Sequence, residues 1–109
     1  MNTMQMSEFQ ERALLSVAIK EKDLAALAHR SLGVVGEAGE LANIIKKIIR
    51  DKNGQATDED VQKITEKLGD TFYYIAVLAE YFNINLEEVA SKNLQKSEEF
   101  RKSHSKVNK

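Results

Sequence analysis

Several residue types and patterns are missing from this sequence, and their absence excludes particular kinds of structure. The 109 residues contain no cysteine, which rules out a disulfide framework and a Cys-ligated zinc site. They contain no proline and only five glycines. Because proline is the strongest breaker of helix interiors, this composition favours long helices. No apolar run is long enough to span a bilayer, and residues 1–13 lack the layout of a signal peptide.

The charge balance argues against several classes of partner. The formal net charge is −1, which gives no general attraction to nucleic acid or to an anionic membrane. Only the basic C-terminal tail offers a local positive patch. We therefore expect no membrane partner. The absence of cysteine separately predicts an intracellular, cytoplasmic protein. Nucleic acid is an unfavoured partner, and salt-sensitive binding would be its sign.

Hydrophobic periodicity predicts an all-α fold with four helices in a single domain. The first helix is predicted from about residue 7 to residue 19, with Ser7 as its N-cap. The second is predicted over about residues 23–49, where apolar residues cover a broad surface. The Asn-Gly pair within residues 51–56 then predicts a turn.

Capping signals set the start of the last two predicted helices. Thr57, with an acid three residues on, predicts a capping box for a third helix that reaches about Phe82. Asn85 caps a fourth helix that runs to about Arg101. The polar, basic segment 102–109 is expected to fray.

The third predicted helix is apolar on two sides. One face carries Val61, Ile64, Leu68, Phe72, Ile75, Ala79 and Phe82. The opposite face carries Tyr73, Tyr74, Val77 and Tyr81. A helix that is apolar on both sides is usually buried on both sides, and four helices of this length barely enclose one. We therefore expect a homo-oligomer in which the second face meets a partner or closes a ligand pocket.

Acidic residues on the second and third helices form a candidate metal site. Glu37 and Glu40 lie at i, i+3 in a Gly-rich, apolar stretch, although such a pair is equally consistent with a solvated helix surface. Asp70 lies among the tyrosines, with Glu66 one turn earlier. If the two helices pack antiparallel, Asp70 can face the glutamates. Carboxylates without Cys or His suit a hard cation such as Mg²⁺, with Mn²⁺ as an alternative.

Basic and amide side chains near these acids are candidate phosphate contacts. Arg30 and Lys47 lie one or two turns from the glutamates. On the fourth helix, Asn93 and Lys96 share a face, although such a pair is more often a surface arrangement. Neither a Walker A loop nor a Ser-His-Asp arrangement is present. The two histidines are His29, for which a structural role is favoured, and His104 in the tail.

In combination, these features resemble the MazG-like family of all-α nucleoside triphosphate pyrophosphohydrolases, in particular its small single-domain members. The matching features are Gly-Glu-Ala-Gly-Glu-Leu at 36–41, Lys-Lys-Ile-Ile-Arg at 46–50, Leu-Gly-Asp at 68–70, Tyr73-Tyr74, Leu-Glu-Glu-Val-Ala at 86–90, Asn93 and Lys96. The resemblance implies a four-helix bundle that assembles as a dimer or a dimer of dimers. It also implies Mg²⁺-dependent cleavage between the α- and β-phosphates, giving a nucleoside monophosphate and pyrophosphate.

The resemblance also assigns roles to individual residues. It implies that Glu37, Glu40 and Asp70 ligate the metal and carry catalysis. Because a triphosphate is strongly anionic and repels the nucleophile, we also expect one carboxylate to orient or deprotonate the water. The resemblance implies that Asn93 helps to position the nucleotide or a ligand water. Lys47 and Lys96 would contact phosphates.

One position departs from the family pattern. The family usually shows E-x-x-D before the final acid, but Lys67 stands three residues before Asp70 and the nearest acid is Glu66. Either Glu66 substitutes as a metal ligand, or Lys67 supplies a positive charge where a second ion would sit, or activity is weak or lost. We expect retained activity with altered metal dependence. The alternative is a non-catalytic helical module that binds a nucleotide or a protein.

Overall fold

The computed structural model describes residues 3–107, and its side chains are described over residues 3–104. Within residues 3–107 the chain forms four helices and no strand, which confirms the all-α prediction. The helices are α1 (Met6–Leu15), α2 (Leu24–Lys52), α3 (Asp58–Tyr81) and α4 (Leu86–Val107). None of these helices combines the length and the hydropathy that a membrane span requires.

The first helix is shorter than predicted at its C-terminal end. Its N-cap is Gln5, so the prediction of Ser7 as the cap is wrong, and the Ser7 hydroxyl donates instead to a carboxylate of α4 at 2.8 Å. The helix ends at Leu15 because the backbone N–H and hydroxyl of Ser16 both donate to the Ala13 carbonyl, at 3.1 and 3.0 Å. The predicted continuation to residue 19 is therefore also wrong.

Local signals in the sequence account for the hairpin of α2 and α3. Asp23 caps α2 by accepting from the backbone N–H of Ala26 at 2.9 Å. At its other end, Asn53 and Gly54 both adopt left-handed backbone, with φ of 55° and 81°. The predicted capping box of Thr57 and Asp60 is present and starts α3.

Helices α2 and α3 pack antiparallel, as contacts along their length show. Near the start of α2, Gly33 lies against the ring of Tyr74 in the second half of α3. At the opposite end, Lys52 pairs with Asp60 in the first turn of α3, with Nζ 2.6 Å from the carboxylate. This arrangement places the middle of α2 beside the middle of α3, where the candidate acids lie.

A small core joins α1 to α3 and α4. Its buried apolar side chains are Ala13, Val17, Ala76, Val77 and Leu86. The buried Gln10 side chain spans the same junction, donating to the carbonyls of Ala76 and Ile84 and accepting from the N–H of Leu86. This polar link satisfies backbone groups that the core would otherwise leave without partners.

The two apolar faces of α3 differ in how much of each is covered within the chain. The face of Tyr73, Tyr74, Val77 and Tyr81 packs inside the chain, and Val77 is fully buried. On the other face, Val61, Leu68 and Phe82 are each more than half exposed. The expectation that the tyrosine face meets a partner or closes a ligand pocket stays a prediction; within the chain, α2 contacts this face at Tyr74 and Tyr81. The face left exposed is the more aliphatic one.

Helix α4 is longer than predicted and mostly exposed. It continues to Val107, so residues 102–107 are helical rather than frayed, while residues 108–109 of the predicted tail lie outside the described residues. Its first turn contacts α1 through Glu87, and all of residues 91–100 are exposed. Helix α4 thus joins the core at its first residue, Leu86, and extends beyond it.

Candidate metal and phosphate site

Two i, i+3 pairs on neighbouring helices form the centre of the candidate site. Glu37 and Glu40 project from α2, and Lys67 and Asp70 project from α3. Residues at this spacing lie on one side of a helix, and the antiparallel hairpin turns the two pairs toward each other. The structure thus brings together three of the four acids that the sequence predicted at the site. We refer to Glu37, Glu40 and Asp70 as the carboxylate cluster.

The Lys67 ammonium lies at the point on which the carboxylate cluster converges. Its Nζ donates to Glu40 at 2.7 Å and to Glu37 at 3.0 Å, and it lies 3.6 Å from a carboxylate oxygen of Asp70. The Lys67 and Glu37 side chains are 28% and 23% exposed, whereas those of Glu40 and Asp70 are 59% and 53% exposed. The site is therefore half open to solvent, with Glu37 and Lys67 on its inner side.

These contacts shift the acidities of the groups involved. The hydrogen bond from Lys67 is the largest cause that lowers the pKa of Glu40 below its ordinary value. Reciprocally, hydrogen bonds to Glu40 and then Glu37 raise the pKa of Lys67. Both shifts favour the charged forms, so the cluster holds a cation at neutral pH in the form of its own lysine.

The donor set fits a hard divalent cation in its chemistry. Three carboxylates gather around one point without Cys or His, and the Lys67 ammonium stands there as a cation. The three carboxylates are spaced around the Lys67 ammonium rather than around a metal ion. Across the described side chains, no three acidic, His or Cys residues are spaced to hold a metal ion. Mg²⁺–oxygen distances of about 2.0–2.1 Å are shorter than these contacts, so the oxygens would have to move inward after the ammonium left.

Glu66 does not join the carboxylate cluster. It is exposed on α3, and within residues 3–104 it forms no ion pair. Round the helix, Glu66 lies about 100° from Lys67, on the far side of Asp70, from which it is about 40° away. The role of Glu66 as a metal ligand stays a prediction that this conformation does not favour.

Arg30 is an architectural residue in the folded chain. It is 1% exposed, and its guanidinium donates to the Val77 carbonyl at 2.8 Å, to Glu80 at 3.0 Å and to the Ile19 carbonyl at 3.2 Å. These bonds fasten the segment before α2 to the second half of α3. A phosphate contact, as expected from the sequence, would require a buried and hydrogen-bonded group to give up its partners.

Lys47 lies beside a cleft next to the carboxylate cluster. It follows Glu40 by seven residues, two helical turns, and so shares its side of α2. The cleft has a volume of about 290 Å³ and is lined by Ile44, Lys47, Ile48, Asp51, Lys52, Asp60 and Lys63. Lys63, which sequence reasoning did not single out, extends the positive charge on the α3 side. Its position one helical turn before Lys67 is the sequence feature that could have identified Lys63.

Asn93 and Lys96 do not reach the carboxylate cluster within one chain. They lie on the exposed part of α4 and share a shallow pocket with Ser97 and Phe100, with no lining residue from α2 or α3. The principal helix contacts of α4 are with α1. Within a single chain, the two halves of the predicted site are therefore separate.

His29 packs against an aromatic ring rather than facing the carboxylate cluster. Its ring centroid lies 5.8 Å from that of Tyr74, and its Nδ1 is buried and has no hydrogen-bond partner among the described atoms. This placement matches the structural role favoured for His29.

Comparisons with known proteins agree with the resemblance seen in the motifs. A family model described as the MazG nucleotide pyrophosphohydrolase domain matches residues 27–105, which include the carboxylate cluster and the Asn93–Lys96 pair. The "Gene 37 protein" of Mycobacterium phage L5 is 42% identical over 73 residues, which are 67% of this chain and 64% of that protein. The match thus spans less than two thirds of that relative. No solved structure matches the chain.

Proposed function

Since this chain belongs to the MazG nucleotide pyrophosphohydrolase family, we propose that it hydrolyses nucleoside or deoxynucleoside triphosphates to the monophosphate and pyrophosphate. The observation that carries this proposal is the convergence of Glu37, Glu40 and Asp70 on one cationic point between α2 and α3. The family generally uses divalent metals, and we propose Mg²⁺, with Mn²⁺ as a substitute. We place the activity in the cytoplasm.

The proposed chemistry follows from the charges of the substrate and the site. Glu37, Glu40 and Asp70 would hold the ion. When bound, the ion supplies positive charge that offsets the negative charge of the triphosphate. One of the same carboxylates accepts a proton from the attacking water. The new bond forms between that water and the α-phosphorus, and pyrophosphate leaves with the bridging oxygen. Lys47, on the Glu40 side of α2, contacts the outer phosphates.

The test is pyrophosphate release from a panel of canonical and modified NTPs and dNTPs, with Mg²⁺, Mn²⁺ or EDTA. Glu40→Gln removes one charge from the cluster without changing its size, and we expect it to lower turnover by on the order of 100-fold or more. The matched control is Glu66→Gln, which changes an exposed acid outside the cluster and should stay within a few fold of wild type. Equal activity of Glu40→Gln and wild type would contradict the proposed role of the cluster.

A second candidate function is a non-catalytic module that binds a nucleotide or a protein. The contact of Lys67 with all three acids of the cluster favours it, because an ammonium there leaves less negative charge to attract a metal ion. Saturable nucleotide binding without pyrophosphate release, in wild type and in Lys67→Glu alike, would support this function and exclude the first one for the panel used.

We also propose that the working form is a homodimer or a dimer of dimers, and that Asn93 and Lys96 reach the carboxylate cluster of another copy. Two observations support this: the pair lies apart from the cluster within one chain, and Leu94 and Phe100 beside it are 60% and 64% exposed. Exposed apolar side chains next to functional polar ones are typical of interfaces.

Mixing two inactive variants tests the sharing of residues between copies. In a mixed dimer of Glu40→Gln and Lys96→Ala, one site carries both changes and the other carries neither. We therefore expect activity to reappear on mixing, after exchange of subunits, up to about half that of wild type in each mixed dimer. If both residues serve the site of their own chain, every site keeps one defect and mixing restores nothing.

A further inference from the structure

Lys67 makes an unusual connection between the two helices of the site. It starts from α3, yet its two shortest contacts, 2.7 and 3.0 Å, are with the glutamates of α2, while its neighbour Asp70 lies at 3.6 Å. The ammonium is the cation nearest the cluster: on the same face of α3, Lys63 pairs instead with Glu59 at 3.4 Å. One positive charge therefore offsets three negative charges that face each other across the helix pair.

We infer that the Lys67 ammonium is a built-in counter-ion of the carboxylate cluster, and that a divalent cation binds there only by displacing it. The inference deepens the proposed function, since it takes the cluster to be the cation site. Its physical basis is that the ammonium hydrogen-bonds carboxylate oxygens that a metal ion would need. The two cations cannot use the same oxygens at the same time, so they compete.

Displacement is feasible because of the shape and exposure of the lysine. Its ammonium ends a flexible four-carbon stem, and the side chain is 28% exposed, so the head can move into solvent while α3 stays in place. The freed oxygens of Glu37, Glu40 and Asp70 could then close to metal-ligand distances. Binding would include the cost of breaking the lysine contacts, which weakens the affinity of the wild type for metal.

The same contact explains how the helix pair keeps its acids together without a metal. Removing the Lys67 charge leaves three carboxylates that repel one another. We therefore expect neutral variants at this position to be less stable without metal than wild type, and to regain stability when a divalent cation is added. Wild type should respond little to the same addition.

The experiment measures Mn²⁺ binding by isothermal titration calorimetry without nucleotide, in wild type, Lys67→Gln, Lys67→Arg and Lys63→Gln. We expect Lys67→Gln to bind Mn²⁺ at least about tenfold more tightly than wild type. Lys67→Arg keeps the charge and should bind as weakly as wild type. Lys63→Gln removes the same charge one turn away, where the side chain is 57% exposed, and should stay within a few fold of wild type.

Thermal unfolding with and without Mg²⁺ provides a second readout, and circular dichroism verifies that each variant is helical. A larger Mg²⁺-induced rise in Tm for Lys67→Gln than for wild type would support the inference. Equal Mn²⁺ affinity of Lys67→Gln and wild type, or no binding by Lys67→Gln, would overturn it.

Pyrophosphate release, measured separately, distinguishes this inference from the proposed function. Tighter Mn²⁺ binding by Lys67→Gln, with no nucleotide cleaved by any variant, would uphold the inference and remove the function. Turnover by wild type, together with a Mn²⁺ affinity of Lys67→Gln equal to that of wild type, would support the proposed function and overturn the inference.

Discussion

At the scale of single residues, the glycines of α2 differ in how closely other atoms approach them. A Cβ at position 33 would overlap the ring of Tyr74, so Gly33 permits the close approach of α2 and α3. A Cβ at Gly36 or Gly39 would meet no other atom within 4 Å. Of the three, only Gly33 permits a close approach within the chain. Nothing within the chain explains the other two.

Alanine substitutions at two of these glycines should therefore have opposite effects. Gly33→Ala forces the Tyr74 ring or the helix pair to shift, and we expect it to lower the free energy of unfolding by about 1–3 kcal/mol. Gly39→Ala adds a better helix former in open space and should raise it by about 0.5–1 kcal/mol. Urea denaturation measures both, and equal stability of Gly33→Ala and wild type would contradict the packing described.

At the scale of elements, the start of α3 depends on a charged cap. Asp60 accepts from Lys52 Nζ at 2.6 Å and from the backbone N–H of Thr57 at 3.0 Å. The Lys52 contact first, and then the Thr57 N–H, lower the pKa of Asp60 from 3.8 to about 2. The ionised carboxylate thus ties the last turn of α2 to the first turn of α3.

The stability supplied by this cap should depend on pH in the acid range. Because the pKa of Asp60 is lower in the folded state than the unfolded value of 3.8, its contribution is full above about pH 4–5 and is lost as the pH falls toward 2. We expect Asp60→Asn to be less stable than wild type at neutral pH, with a difference that narrows between about pH 5 and pH 2. Chemical denaturation across this range measures the difference.

A second variant controls for the loss of charge at the start of α3. Asp58→Asn removes the same charge from the same turn without touching Lys52 or Thr57. It should cost less stability at neutral pH than Asp60→Asn. A difference between wild type and Asp60→Asn that stays constant with pH would contradict the role of the cap.

At the scale of the whole molecule, the single chain leaves much apolar surface exposed. Its radius of gyration is 17.3 Å, compared with about 13 Å for a compact domain of this length. Large apolar side chains are more than half exposed on each of the four helices. They include Leu15 on α1, Leu32, Val35 and Ile49 on α2, Val61 and Leu68 on α3 with Phe82 just after it, and Leu94 and Phe100 on α4. One side of α2 also lines an open apolar groove of about 730 Å³. Surfaces of this extent favour association.

Sedimentation tests the proposed assembly. We expect wild type to sediment as a dimer or larger at micromolar concentration, and Leu94→Glu to shift the protein toward monomer because it places a charge on the exposed side of α4. Ser91→Glu adds the same charge one turn earlier, at an exposed polar position, and should disturb assembly less. Wild type that is monomeric throughout this range would defeat the proposal.

The sequence by itself determined the elements and the chemistry of the site. Periodicity, the absence of proline, and the caps at Thr57 and Asn85 are local properties, so α2, α3 and the start of α4 could be predicted closely. Glu37 and Glu40 could be identified for the same reason, because i, i+3 spacing on a helix is legible without tertiary contacts. Asp70 was identified by its place among the tyrosines and by the Leu-Gly-Asp motif of the resemblance.

Only the tertiary structure decided which partner each side chain has. The burial of Arg30 and the inward direction of the tyrosine face depend on contacts between residues far apart in the chain, which no local pattern encodes. The position of Lys67 is the clearest case. Its place in the sequence showed a charge of the wrong sign near the acids, but only the antiparallel packing of α2 on α3 put its ammonium between them.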